Sequence, residues 1–251
     1  MIGLSIPSYE RFQVGGARVV AVSGCVAAIR GVLENEGLYE YAARQADAVP
    51  LVGRAPVFAV TLPGSCGRAV VRHNMRGGWM AKISKDLFVL PTRGFRELVA
   101  SLRLRASGVS TPEVLAYVSY PMNLLLRRSD VATREIPNGH DLSVALMKVT
   151  DHDHRVMVLD AVAGLLRALA RAGAHHQDLN LKNVLLTAGE GPGLDAHVLD
   201  VDRVRFSSPD SPLVAKANLD RLIRSLRKWR DREGLPYSAE DEEFLRLKSV
   251  E

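Results

Sequence analysis

Three side chains within a twelve-residue stretch have the types and spacing that phosphoryl transfer requires. Residues 175–186 read HHQDLNLKNVLL and place His176, Asp178 and Asn183 in the pattern H-x-D-L-x-x-x-N; residues 198–202, VLDVD, add a second carboxylate, Asp200, after an apolar run. Phosphoryl transfer passes through a loose transition state, so a protein mainly positions an acceptor hydroxyl and neutralises phosphate charge through metal ions. In that chemistry Asp178 orients the hydroxyl and takes its proton. Asn183 offers a hard oxygen ligand to Mg²⁺, and Asp200 holds the metal that bridges the phosphates of ATP.

Such residues work only if neighbouring elements deliver them, and the flanking sequence has the expected order of helix, loop, strand, turn and strand. Asp153 is the expected N-cap of a helix running to Ala172, with Val156, Leu159, Ala163, Leu166 and Leu169 near one face and Gly173 as its stop. Val184, Leu185 and Leu186 then start a strand, and a glycine-rich link over residues 188–194 joins it to the run ending at Asp200.

Upstream, residues 57–60 and 68–73 read as strands around the turn Leu62-Pro63-Gly64-Ser65-Cys66-Gly67. Gly64 and Gly67 there are candidates to cover ATP phosphates with backbone N–H groups, or they form an ordinary hairpin. Residues 93–107 read as an amphipathic helix with Phe95, Leu98, Val99 and Leu102 on its buried side. Glu97 inside it is either an ion-pair glutamate for a phosphate-binding cation or a solvated helix acid. Residues 111–117 and 123–136 supply further strands. The first 55 residues are weakly patterned, with a strand at 17–22 and a helix near 30–45. A last long helix over 213–232 has an apolar stripe and the basic residues Arg221, Arg224, Arg227, Lys228 and Arg230, and Ser238 caps an acidic helix start.

Composition narrows the class. The chain has 251 residues, 47% of them hydrophobic, enough for one large domain or two small lobes. The N-terminal stretch lacks the pattern of a signal peptide and no apolar run is long enough to span a bilayer, so a cytoplasmic location is expected. Cys25 and Cys66 are too few for a cysteine zinc site and read as reduced, buried thiols. The net charge of +5 favours a phosphate-rich partner or an anionic membrane surface. Asp151, His152, Asp153 and His154 carry metal-competent groups, but two histidines two apart diverge on a helix.

The segment after Asp200 bears on the acceptor. Only residues 202–212 separate it from the next helix, without the long segment ending in A-P-E of protein kinases, and Asn180 stands where Ser/Thr protein kinases usually have lysine. A small molecule or glycolipid acceptor is therefore expected over a peptide.

The chain resembles the lipopolysaccharide kinase (Kdo/WaaP) family, most closely its Kdo kinase branch. The resemblance rests on residues 71–78 (VRHNMRGG), 95–98 (FREL), 176–186, 198–203 and 218–228 (NLDRLIRSLRK). It implies an α+β, two-lobed protein-kinase-like fold: an N-terminal lobe over residues 1–137, with an antiparallel sheet and one main helix, and a mainly helical C-terminal lobe over 138–251. It also implies transfer of the ATP γ-phosphate to a hydroxyl of the Kdo sugar on lipid A, in the lipopolysaccharide inner core, by a protein attached peripherally to the cytoplasmic face of the inner membrane. No nucleic-acid partner is expected. Carried over position by position, Asp178 matches the catalytic acid/base, Asn183 and Asp200 the metal ligands, and Glu97 the partner of the phosphate-binding cation. Glu135 and Ile136 match the adenine-binding hinge. Arg72 stands where most kinases have lysine, with Lys82 as the competing cation; Asp202, in Asp200-Val201-Asp202, is a further metal candidate. The rival readings are a kinase of another small-molecule or protein hydroxyl, and a glycolipid-binding pseudokinase.

Overall fold

The computed structural model describes residues 8–51, 56–73, 93–121, 127–189 and 191–249. Its chain divides into two compact units, one of residues 1–99 and 113–135, the other of residues 100–112 and 136–251.

The first unit is built on a seven-stranded antiparallel sheet. In chain order its strands are β1 (Tyr9–Val14), β2 (Ala17–Val22), β3 (Val49–Leu51), β4 (Val57–Leu62), β5 (Gly67–His73), β6 (Val114–Pro121) and β7 (Arg127–Arg134), arranged β1-β2-β6-β7-β5-β4-β3. Alternation along β5 buries Ala69 and Val71 while Val70 and Arg72 face the other way. The buried side packs against α1 (Val26–Leu33) and α2 (Leu38–Arg44) through Ile29, Val32, Leu38 and Ala42. The helix expected near 30–45 is thus two helices, interrupted around Gly37, whose backbone is extended.

Cys25 and Cys66 form a disulfide, which corrects the free-thiol reading. Each sits in a 3₁₀ turn, Ser23–Cys25 and Gly64–Cys66, and the two turns pack together with a Cα–Cα separation of 5.3 Å. A contact between residues 41 apart leaves no local periodicity to read.

Helix α3 (Arg93–Ala106) buries Glu97, Leu98, Ala100, Ser101 and Leu104, whereas Phe95 and Val99 are exposed. The buried stripe is rotated from the expected one because two of its members are polar and satisfied: Glu97 pairs with Arg72, and Ser101 Oγ donates to the Pro112 carbonyl at 3.0 Å.

The second unit contains β8 (His140–Asp141), α4 (Leu142–Met147), α5 (His152–Arg171), β9 (Ala174–His176), β10 (Val184–Ala188), β11 (Leu194–Val198), β12 (Val204–Phe206), α6 (Pro212–Glu233) and α7 (Ala239–Lys248). Its core forms around α5, whose Val158, Leu159, Val162, Leu166 and Leu169 are buried with Leu222, Ile223 and Leu226 of α6. The N-cap of α5 is Asp151, which accepts from His154 N at 2.8 Å, and Asp153 falls in the first turn instead. Gly173 ends this helix with φ 62°, and a Cβ there would lie 2.5 Å from the Ser207 carbonyl oxygen. That close approach lets β12 pair with β9 immediately after the helix.

Candidate active site

In the second unit, β9 runs directly into the loop that carries Asp178. The loop is fixed from within by its own amides. Asn180 Nδ2 and Asn183 Nδ2 both donate to the Asp178 carbonyl at 2.9 Å, and Asn180 Oδ1 accepts from Lys182 N at 2.9 Å to cap the 3₁₀ turn Leu181–Asn183. The amide of Asn183 is thereby oriented with its nitrogen inward. Among the described residues Oδ1 receives no side-chain or backbone donor, which leaves an oxygen suited to a hard cation.

His176 joins this loop to the second acidic segment. Its imidazole is fully buried, Nδ1 accepts from Asp178 N at 3.2 Å, and Nε2 lies 2.9 Å from the Leu199 carbonyl oxygen. An acceptor at Nδ1 and a donor at Nε2 define one neutral tautomer. Burial holds its pKa below the usual value, against the opposing pull of its bond to Leu199 and of the Asp200 and Asp178 carboxylates. Leu199 N in turn donates to the Asn183 carbonyl at 2.9 Å. The backbones bearing Asp178, Asn183 and Asp200 are therefore tied together through one buried ring and one main-chain bond. Asp200 itself is left-handed, with φ 55° and ψ 49°, a conformation aspartate tolerates better than most residues. Asp202, two residues on, is buried.

Helix α6 holds the same loop from outside. Asn218, fully buried, accepts from His176 N at 3.0 Å and donates to the Ala174 carbonyl at 2.8 Å; Ser225 Oγ accepts from Leu181 N at 3.3 Å. Between them Arg221 Nη2 lies 3.7 Å from Asp178 Oδ1. Lys182 reaches Asp141 Oδ2 at 3.1 Å and Ser143 Oγ at 2.8 Å and sits 4.8 Å from the centre of the Trp229 ring. By sequence alone α6 reads as a core stripe with solvated charges. The signal for its second role is the recurrence of Asn218, Arg221, Ser225 and Trp229 at spacings of three and four.

In the first unit Arg72 and Glu97 form an ion pair in which the carboxylate is almost fully buried and the guanidinium about a quarter exposed. This places the expected glutamate against the arginine of β5, and excludes the solvated-acid alternative for Glu97. Lys82 lies outside the described residues.

Gly64 and Gly67 are not brought to Arg72. Gly67 starts β5 opposite Leu62, while Arg72 lies opposite Val57 at the other end of the hairpin. Five residues of extended chain separate Gly67 from Arg72 by roughly 17 Å. The turn is instead closed over Cys25 by the disulfide. Gly64 and Gly67 have φ 65° and 70°, as a tight hairpin turn requires, at the end of β5 away from Arg72. Glu135 lies at the Gly67 end of β5: its N–H donates to the Arg68 carbonyl at 3.1 Å and its carboxylate pairs with Arg68 Nε at 2.6 Å. Ile136 is half-buried and begins the final segment of the second unit.

The described residues include no group of three His, Cys, Asp or Glu that could hold a metal by themselves. Magnesium in kinase sites is typically held by one or two carboxylates completed by substrate phosphates and water; here Asp200 could supply one carboxylate and Asn183 an amide oxygen. No helix among the described residues is long and apolar enough to cross a membrane.

The family model described as "Lipopolysaccharide kinase (Kdo/WaaP) family" matches residues 55–244. A Vibrio vulnificus (strain YJ016) protein named 3-deoxy-D-manno-octulosonic acid kinase is 30% identical over 198 residues, covering 77% of this chain and 78% of that one. A Haemophilus influenzae (strain Rd) protein of the same name is 32% identical over 163 residues, 63% of this chain and 65% of that one. The solved structure of WaaP in complex with acyl carrier protein aligns over 92% of this chain and 88% of that chain with a TM-score of 0.60 at 17% identity, which establishes a common kinase-like fold. With a buried histidine securing the H-x-D loop, an arginine–glutamate pair on the sheet and this span of similarity, the chain belongs to the lipopolysaccharide kinase (Kdo/WaaP) family and is a phosphotransferase that acts on a hydroxyl group.

Proposed function

We propose that the protein transfers the γ-phosphate of ATP, with Mg²⁺, to a hydroxyl of the Kdo sugar on lipid A in the lipopolysaccharide inner core. The observation that carries this reading is the hydrogen-bonded unit of His176, Asp178, Asn183 and Leu199, which fixes two oxygen ligands and a partly exposed carboxylate in one loop system. The names of the relatives supply the acceptor class.

In this mechanism the acceptor hydroxyl oxygen attacks the γ-phosphorus, its proton passes to an Asp178 carboxylate oxygen, and the bond from γ-phosphorus to the bridging oxygen breaks to release ADP. Asn183 and Asp200 would hold Mg²⁺, whose charge would offset that of the phosphates. Arg72, paired with Glu97 in the first unit, is the candidate cation for phosphate oxygens. Arginine suits this task because it stays charged and can bind two oxygens at once. Asp178 is ready to accept the proton because its main-chain carbonyl, not its carboxylate, receives the Asn180 and Asn183 amides. The net charge of +5 supports a peripheral position on an anionic cytoplasmic membrane face, where the glycolipid acceptor is presented.

The test is mass spectrometry of Kdo-lipid A after incubation with purified protein and Mg²⁺-ATP. The acceptor should gain one phosphate, and Asp178→Ala should lower turnover by about 10²-fold or more. Near-normal turnover by that variant removes Asp178 from the mechanism; phosphate gained only by protein or by an unrelated small molecule favours another acceptor. A glycolipid that binds without any response to Mg²⁺-ATP favours a pseudokinase.

A further inference from the structure

Asn218, Arg221 and Ser225 lie along one side of α6, at intervals of three and four residues. Asn218 holds the strand before Asp178 and Ser225 the turn after it, so the helix cannot rotate Arg221 away without breaking both contacts. The Arg221 guanidinium is thereby kept beside the Asp178 carboxylate, yet at 3.7 Å it is beyond hydrogen-bond range. The two side chains remain 40% and 37% exposed, so water screens the pair and it contributes little as a structural tie. Asp178 is the one carboxylate within ion-pair range of Arg221 among the described residues.

Arg205 of β12 stands opposite His175 of β9 and is exposed. The His175 imidazole is held toward its neutral form by burial first and then by the charges of Arg221 and Arg205. A guanidinium held beside the acceptor-orienting carboxylate, and only loosely paired with it, forms a site for an acidic group. The planar fork of arginine matches a carboxylate in particular.

We propose that Arg221 determines acceptor specificity by receiving the carboxylate of a sugar acid whose hydroxyl lies against Asp178. This rests on the sugar-acid kinase reading given above and assigns the acid group of that acceptor to a named residue. A sugar acid carries its carboxylate on the same residue as the hydroxyl, so one side chain next to Asp178 can select the acceptor and orient it. A phosphate of the lipid A portion shares the anionic chemistry and is separated by the experiment.

The experiment compares wild type, Arg221→Gln and Arg221→Lys on Kdo-lipid A, on its Kdo carboxyl methyl ester, and on Kdo-lipid A lacking the lipid phosphates, with calorimetric titration of free Kdo in parallel. Wild type should favour the acid over the ester by roughly 30-fold in kcat/KM, the scale of a desolvated charge pair. Arg221→Gln should abolish that preference through the KM for the acid, so that acid and ester are used alike, while the KM for ATP stays near wild type. Arg221→Lys should recover part of the preference, and removal of the lipid phosphates should leave it intact. Equal use of acid and ester by wild type overturns the proposal, as does a preference that survives in Arg221→Gln, an equal loss on both acceptors, or an Arg221 effect that disappears with the lipid phosphates. If wild type phosphorylates none of the acceptors, the kinase reading fails by itself: Kdo binding lost in Arg221→Gln still supports the carboxylate site, and no Kdo binding to wild type overturns both.

Discussion

Replacing Asn218 tests whether α6 holds the catalytic loop in place. Its side chain is fully buried, accepts from His176 N–H and donates to the Ala174 carbonyl, so Asn218→Ala leaves a buried donor and a buried acceptor without partners. Each orphaned group costs about 1–3 kcal/mol, which sums to about 2–6 kcal/mol against a typical total of about 5–15 kcal/mol. At about 2–4 °C per kcal/mol for a chain of this size, a central loss of about 4 kcal/mol lowers Tm by about 8–16 °C. The protein has two tryptophans, Trp79 and Trp229, and Trp229 lies in α6. In a Trp79→Phe background, Trp229 fluorescence during urea unfolding therefore reports the second unit. The midpoint should fall with an unchanged m-value. Asn218→Asp keeps the acceptor for His176 N–H but sets a carboxylate oxygen against the Ala174 carbonyl; its deficit relative to wild type should shrink as pH falls and the acid regains a donor. An Asn218→Ala midpoint within about 0.5 kcal/mol of wild type, the range of ordinary surface substitutions, would refute the anchoring role.

The buried neutral His176 gives stability a definite pH dependence. Its pKa is lowered in the fold, so between that value and the unfolded 6.5 the unfolded chain binds more protons; stability is fully present above about pH 6.5 and declines as pH falls below it, by at most about 1.4 kcal/mol per pH unit for this one group. His175 and His197, also lowered chiefly by burial, act in the same direction. Urea midpoints at pH 5.5 and 7.5 should show this slope and a smaller one in His176→Gln; identical slopes would sink the assignment. For the sheet cation, Arg72→Met should reduce kcat/KM by about 10²-fold, the scale of losing one preorganised donor to transition-state charge. Glu97→Gln should lose less, and the double variant should lose little more than Arg72→Met because the two act as one unit. Unchanged ATP kinetics in Arg72→Met would move the phosphate contact to another cation such as Lys82.

How far the sequence could be read depended on how local each interaction is. Asp178, Asn183 and Asp200 were legible as candidates because each lies in its own short motif, and β10, β11 and α5 were legible by their periodicity. The segment before residue 55 was poorly legible because its structure is held by distant partners: Tyr9 Oη donates to the Val114 carbonyl at 2.7 Å, Tyr39 N donates to Asp130 at 3.1 Å, and Cys25 bonds to Cys66. Glycines misled for a related reason. Gly64 and Gly67 have the positive φ that any tight turn demands, and a turn signal says nothing about which end of a hairpin faces the chemistry. Only the register of β4, β5 and β7 decides that, by placing Arg72 at the far end.

The polar members of buried faces carry the same lesson further. Glu97 and Ser101 on α3, and Asn218 on α6, occupy positions that a hydrophobic pattern assigns to solvent, and each is buried because a partner elsewhere satisfies it. A helix that buries an asparagine and keeps an arginine beside the Asp178 carboxylate gives up apolar contact there. What it gains is a fixed relation between the strand before the loop, the loop, and the turn after it. A catalytic centre whose chemistry is mainly the placement of a hydroxyl and of charge depends on that relation more than on any single contact energy. Arg221 stands between the two anchors, where a displacement of the helix would be felt at Asp178 at once; the reach of that one side chain toward the acceptor is therefore set by Asn218 and Ser225.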